Sequence, residues 1–298
     1  MASPRSTPSD LLNHQHADEP ATDTGGGLVR VRLDIAYDGT GFSGWARQPG
    51  RRTVCAELEL GLATVLRHDV DLTVAGRTDA GVHATGQVAH LDLPAAVLAE
   101  HEQRLLRRLR GVLPPDVAVT GARVVPPDFD ARFSGLARHY VYRLSDSDSG
   151  PPVLRRADTV GWPRRLDERA MGIAAGLLLG RQDFAAYCRA REFATTIRTL
   201  LALDVVRDGD VVEIRASADA FCHSMVRSLV GALTAVGEGR RLPAWPGSLL
   251  ALDRRAQDVP VAPPGGLTLV RVDSPADDQL AARNLKTRAL RTSVTGDS

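Results

Sequence analysis

Residues 201–217 constrain the fold most. Two alternating apolar runs, 201–207 and 211–217, flank Asp208-Gly209-Asp210. So short a turn of acidic residues around a glycine forces the runs into an antiparallel hairpin. The same period of two recurs near the start of the chain. Val29, Val31, Leu33, Ile35 and Tyr37 alternate with Arg30, Arg32, Asp34 and Ala36, a half-buried strand that stops at the turn signal Asp38-Gly39. Further strands are predicted at 72–74, 87–91, 117–125, 138–144 and 267–272. Helical spacing appears between them. Val54, Leu58, Leu62 and Val65 mark a helix over 53–67 with Thr53 as its cap, and 100–113 reads as a helix with an arginine-laden side. Asp167 begins a helix through Leu179 with Gly180 just past its end. Residues 220–236 read as an amphipathic helix with Phe221, Met225, Leu229 and Leu233 at steps of four. Each half mixes strands and helices through hairpin-type connections, which predicts an α+β fold on a largely antiparallel sheet.

Four segments follow from this pass. Residues 1–27 are polar, end in three glycines and show no apolar period, so a disordered tail is expected. Residues 28–145 form an N-terminal half. The polar break at 146–152 opens a C-terminal half over 146–274, and 275–298 reads as a polar tail. A chain of 298 residues allows one large domain or two modest ones, at roughly 100–200 residues per domain.

Composition excludes several chemistries. The chain has 37 basic and 36 acidic residues, a net charge of +1, which argues against a basic nucleic-acid arm but not against a local basic cleft. Every basic residue except Lys286 is arginine. A Schiff-base enzyme or a Walker-type phosphate loop would have to rest on that one lysine. Cys55, Cys188 and Cys222 lie far apart with no CxxC pair, so a disulfide scaffold or cysteine-rich zinc site is not expected. No apolar run approaches the ~18 residues of a membrane helix, and the first residues lack the apolar centre of a signal peptide. A cytoplasmic, reducing environment is the expectation.

The densest motif is residues 76–87, GRTDAGVHATGQ. It resembles a phosphate loop but has Val82-His83 where lysine and a hydroxyl residue are needed, and it lacks GxGxxG. What remains is one carboxylate, Asp79, between glycines. Such an aspartate is either a nucleophile or general acid/base, or a turn residue bonding its own backbone. Tyr37-Asp38-Gly39-Thr40 with Gly44-Trp45 is either an aromatic stacking surface or a tight turn over core aromatics. Tyr140 shares a strand face with Tyr142. It either stacks on a base and shuttles a proton or is a core aromatic. Arg132, Arg138 and Arg143 form either a phosphate track or a solvated face. Arg227 is either exposed or the partner of a carboxylate, for which Asp79 is the candidate.

Together these segments resemble the tRNA pseudouridine synthase A family. The residues that carry the resemblance are Tyr37-Asp38-Gly39-Thr40 with Gly44-Trp45, the run from Ala75 to Ala84 with Gly86-Gln87-Val88, Ala131-Arg132-Phe133-Ser134 with Tyr140, and Phe221 with Met225-Val226-Arg227 and Val230-Gly231. The match runs over about 30–272. Ala46, Asp130 and Cys55-Ala56 depart from the family pattern, none at a proposed catalytic group. The resemblance implies two similar α+β halves sharing a central mixed, largely antiparallel sheet with helices on one side. It implies isomerisation of uridine to pseudouridine at positions 38–40 of the tRNA anticodon stem-loop, by a homodimer, without metal or organic cofactor. By the same resemblance Asp79 is the nucleophile or charge stabiliser, and Tyr140 stacks on the extruded base and moves a proton. Arg77 guides flipping and Arg227 pairs with Asp79. Arg77, Thr78, His83, Arg132 and Tyr140 are the expected substrate contacts. The alternatives are a catalytically silent tRNA-binding or folding factor on the same scaffold, and a carboxylate hydrolase, which would need a second carboxylate near Asp79; Asp38 is the only nearby motif acid, and nothing in the sequence pairs the two.

Overall fold

The alternation at 29–37 becomes β1 (Leu28–Tyr37), whose side chains bury Val31, Leu33, Ile35 and Tyr37 on one face. Helix α1 (Val54–Leu66), β2 (Thr73–Val74) and β3 (His83–Pro94) follow, then α2 (Ala95–His101), α3 (Leu105–Val112), β4 (Val117–Val125) and β5 (Ala137–Ser145). The second part runs β6 (Val160–Gly161), α4 (Glu168–Gly176), β7 (Gly180–Asp183), β8 (Ile197–Asp208), β9 (Val211–Ala218), α5 (Met225–Gly237), α6 (Trp245–Ser248), β10 (Leu267–Asp273) and α7 (Leu280–Arg288). This computed structural model describes residues 27–189 and 195–288. The segment 1–26, within the expected disordered tail, and residues 289–298 lie outside the described residues.

Ten strands of the described residues join one mixed sheet in the order β4-β1-β3-β10-β5-β9-β8-β7, with β2 on β3 and β6 on β5. The predicted hairpin is β8–β9, closed at Asp208↔Val211. The main path is antiparallel except where β10 lies parallel to β3. The fold is therefore α+β on a mixed, largely antiparallel sheet. The last strand seams the two parts: β10 pairs with β3 through Thr268↔His83 and with β5 through Thr268↔Val141. One core gathers Leu33, Leu58, Leu62, Leu91 and Leu109 with Leu269 and Val272 of β10, and the other gathers Tyr142, Leu144, Ile214, Leu229 and Leu233 with Leu267. Tyr140 packs against both.

Several predicted elements shift. Thr53 does precede α1, but its hydroxyl makes no cap bond and is buried without a partner. The 100–113 helix is broken into α2, a short 3-10 turn at Glu102–Arg104, and α3. Asp167 caps α4 through the N–H groups of Arg169 and Ala170, but the helix ends at Gly176, and Gly180 (φ +92°) instead starts β7. The helix read from 220 starts only at Met225, because Ser224 turns left-handed (φ 63°). It is not amphipathic: every residue of α5 except Arg227 is buried, as expected for a helix enclosed on all sides. The polar segment 275–298 contains a docked helix. Within it α7 buries Leu280, and Asn284 accepts from the Ser134 hydroxyl and donates to the Asp128 carbonyl.

Candidate active site

The loop between β2 and β3 is held from both sides. On one side the Trp45 N–H donates to the Thr78 carbonyl (3.1 Å) and the Gly81 N–H to the Phe42 carbonyl (3.3 Å). On the other, Gln87 donates from Nε2 to the Gly76 carbonyl (2.8 Å), and Arg138 donates to the carbonyls of Ala75 and Asp219 (2.8 Å each). The turn at 39–45 lies so close that glycine is required twice. A Cβ on Gly39 would sit 2.0 Å from the Val82 carbonyl oxygen. A Cβ on Gly44, at φ +93°, would lie 2.9 Å from the Thr78 carbonyl oxygen and 3.3 Å from the Asp79 carbonyl carbon. Gly44→Ala is therefore expected to destabilise the fold by about 1–3 kcal/mol, the combined cost of positive φ and a displaced loop. Thermal unfolding checks the stability, and a turnover assay checks whether the loop shift reaches Asp79.

The carboxylate of Asp79 is partly exposed and has a nitrogen facing each oxygen. Arg227 donates from Nη1 to Oδ2 (3.3 Å), and His223 Nε2 lies 3.4 Å from Oδ1. Arg227 is itself fixed, because Nε donates to the Ala262 carbonyl (2.7 Å) while the Ala262 N–H donates back to the Arg227 carbonyl (3.0 Å). The charges of Arg227 and Asp79 are thus matched across 148 residues of sequence. Tyr140 lies close enough for the Asp79 charge to act on its phenol, and its ring meets Phe221 edge-on at 5.2 Å. Burial pushes the Tyr140 phenol up to about 12; the Arg138 charge opposes that shift and the Asp79 charge adds to it. The ring is therefore protonated near neutral pH.

Not every expected contact residue reaches this centre. Arg77 is exposed beside Asp79 and has no ion-pair partner among the described residues. Thr78 is buried, its hydroxyl sharing a hydrogen bond with the Tyr37 hydroxyl (2.8 Å). His83 is buried as well. Its Nδ1 accepts from the Gly39 N–H (3.0 Å), which leaves Nε2 to donate to the Gly265 carbonyl (3.1 Å). Thr78 and His83 tie neighbouring turns together and point away from solvent. Arg132 is exposed and stacks over Phe133. Of the three arginines read as a phosphate track, Arg138 braces the loop and Arg143 is paired with Glu213 and Asp158. Asp38 accepts from Thr40 and lies against His83, so it does not pair with Asp79 as a hydrolase would need.

Sequence reasoning missed His223. It sits four residues before Arg227, but reading 220–236 as one helix drew attention to Phe221 and Met225. It also missed that Cys188 and Cys222 are joined, with Cα atoms 5.7 Å apart, although 34 residues separate them. Among the described residues no group of three or more His, Cys, Asp or Glu side chains could hold a metal ion. No helix among them is long and apolar enough to cross a membrane.

Comparison with known proteins bears directly on this arrangement. The sequence profile described as tRNA pseudouridine synthase matches residues 35–134 and 174–275, which include Asp79 and Arg227. A protein of Frankia casuarinae named tRNA pseudouridine synthase A is 58% identical over 267 residues, covering 89% of this chain and 96% of that protein. One of the same name from Streptomyces griseus is 56% identical over 270 residues, covering 89% and 95%. Another from Mycobacterium leprae is 51% identical over 276 residues, covering 89% and 96%.

Proposed function

The chain belongs to the tRNA pseudouridine synthase family, and from that membership we propose that it converts uridine to pseudouridine at positions 38–40 of the tRNA anticodon stem-loop, with Asp79 as the nucleophile. That it is an isomerase acting on tRNA follows from the family and the full-length relatives. The observation that carries the assignment to Asp79 is its carboxylate, set between Arg227 and His223 beside a half-buried tyrosine.

Uridine and pseudouridine are isomers. The C1′–N1 bond breaks, the base turns, a C1′–C5 bond forms, and the C5 proton is replaced by one at N1. No electrons leave and no co-reactant is consumed. The carboxylate of Asp79 attacks C1′, and the detached base reopens that ester through C5. Removal of the sugar's C2′ proton to give a glycal is the competing route, and it asks for the same carboxylate in the same place. Arg227 balances the negative charge that either route uses. Tyr140, protonated and wedged between the cores, offers a flat face for the turning base and a hydroxyl near the proton that must leave C5.

The target base has to leave its stack before Asp79 can reach the sugar. Arg77, exposed next to Asp79, is suited to occupy the vacated space. Exposed arginines such as Arg132 meet the phosphates, so tRNA binding weakens as salt rises. The reading extends to a cytoplasmic homodimer that holds one tRNA across both subunits, as the sequence resemblance implies.

Incubating the protein with unmodified tRNA transcripts and mapping pseudouridine by base-resolution chemistry tests this. Conversion at 38, 39 or 40 is the expected result. Binding without conversion would favour the silent tRNA-binding factor, and conversion elsewhere would overturn the assigned positions.

A further inference from the structure

We propose that His223 is a positioning residue for the reaction, acting through Asp79 by holding its Oδ1 oxygen while Arg227 holds Oδ2. The inference rests on the reading of Asp79 as the reacting carboxylate. A carboxylate has two oxygens and rotates about its Cβ–Cγ bond. One donor leaves that rotation free, whereas two donors on opposite oxygens fix the plane. Arg227 Nη1 hydrogen-bonds Oδ2 at 3.3 Å, and His223 Nε2 faces Oδ1 at an ion-pair distance of 3.4 Å, placed to become the second donor. Both distances exceed the ~2.7–3.2 Å of a settled N–H···O bond, and contacts of this kind tighten when substrate fills a site. Nε2 is a donor in the protonated ring and in one neutral tautomer, so the contact does not depend on a charged histidine.

The backbone is built to deliver this ring. Ser224, the next residue, sits at φ 63°, one of only two non-glycine residues with positive φ among the described residues. A left-handed serine is a strained backbone position that the surrounding structure has to hold in place. That turn makes α5 begin only at Met225, so His223 lies outside the helix and its ring faces the Asp79 loop. The same stretch is anchored on two further sides. The Arg189 N–H donates to the His223 carbonyl (3.1 Å), and Cys222 is bonded to Cys188. Arg227 lies on α5 and His223 just ahead of it, so the two grips on Asp79 come from one short segment that straddles the helix start.

The test compares His223→Phe, His223→Gln and His223→Glu under single-turnover conditions with saturating enzyme, beside Asp79→Asn. Phenylalanine keeps the ring's bulk without a donor and is expected to slow the chemical step about 10- to 100-fold, the worth of one charge-assisted hydrogen bond. The tRNA dissociation constant should stay within about twofold, since the contact is to Asp79 and not to phosphate. Glutamine places an amide N–H near the Nε2 position and should recover most of the rate. Glutamate, polar where phenylalanine is apolar, should be slow because it sets a second negative charge against Asp79. A His223→Phe rate equal to wild type, or a glutamine variant as slow as the glutamate variant, overturns the inference. An active Asp79→Asn enzyme instead overturns the reading beneath it, whatever the His223 variants do.

Discussion

Asp79→Asn is expected to lower the single-turnover rate of pseudouridine formation by about 10,000-fold or more while tRNA binding persists, because loss of Asp79 in its proposed role as nucleophile would leave only positioning and electrostatics to act. The asparagine is isosteric, so the loop keeps its bonds from Trp45, Gln87 and Arg138, which all end on backbone carbonyls. What is lost is one negative charge. tRNA is a polyanion, so neutralising the Asp79 carboxylate should leave affinity unchanged or raise it. Stability should move by no more than ~1 kcal/mol, because a partly exposed ion pair contributes little. Quench-flow turnover, filter binding and thermal unfolding on one preparation separate these effects. Substantial turnover by the asparagine variant would sink the nucleophile and glycal routes together, since both need the charge. A parallel loss of binding would mean that the substitution had collapsed the loop.

How much of this was legible beforehand depends on where the determinant lies. The hairpin at 208–210 and the strand at 117–125 read correctly because turn chemistry and period two act locally. The segment 76–87 singled out Asp79 because its glycines and residue order are specific. Within that same segment, sequence gave no means of separating a side chain that faces the site from one that braces it. Thr78 and His83 turn inward because Tyr37, Gly39 and Gly265, distant in sequence, supply their partners. The start of α5 was misplaced for a related reason. Phe221 continues the apolar spacing of the helix but lies ahead of it, partly buried with its ring edge-on to Tyr140 of β5. Its spacing therefore carried no information about helix. Asp130 departs from the family pattern and yet has a local use: its carboxylate accepts from the N–H groups of Arg132 and Phe133 and shapes the turn. The insertion of β10 between β3 and β5 was not legible either. A run of apolar residues at 267–272 predicts a strand but not its neighbours, and parallel pairing to β3 is decided by the whole chain.

Arg227 is where local and distant determinants meet, and its substitutions separate charge from geometry. The guanidinium makes two bonds in different directions, Nε to the Ala262 carbonyl and Nη1 to Asp79. A planar fork can do both at once, while a lysine ammonium is a point donor on a flexible stem. Arg227→Leu is expected to cut the single-turnover rate about 100- to 1,000-fold, because Asp79 loses its counter-charge and one of its two grips. Arg227→Lys keeps the charge and should fall between leucine and wild type, at about 10- to 100-fold below wild type. Position 227 is the one residue of α5 that is not buried, so neither variant opens a hole in the core, and thermal midpoints should shift little. The ordering is the informative part. Lysine equal to wild type would mean that charge alone suffices and the bond to Ala262 is incidental. Lysine as slow as leucine would mean that the fixed direction of Nη1 dominates. A leucine variant at the wild-type rate would show that Arg227 does not hold the reacting carboxylate, and the placement of Asp79 would rest on His223 alone.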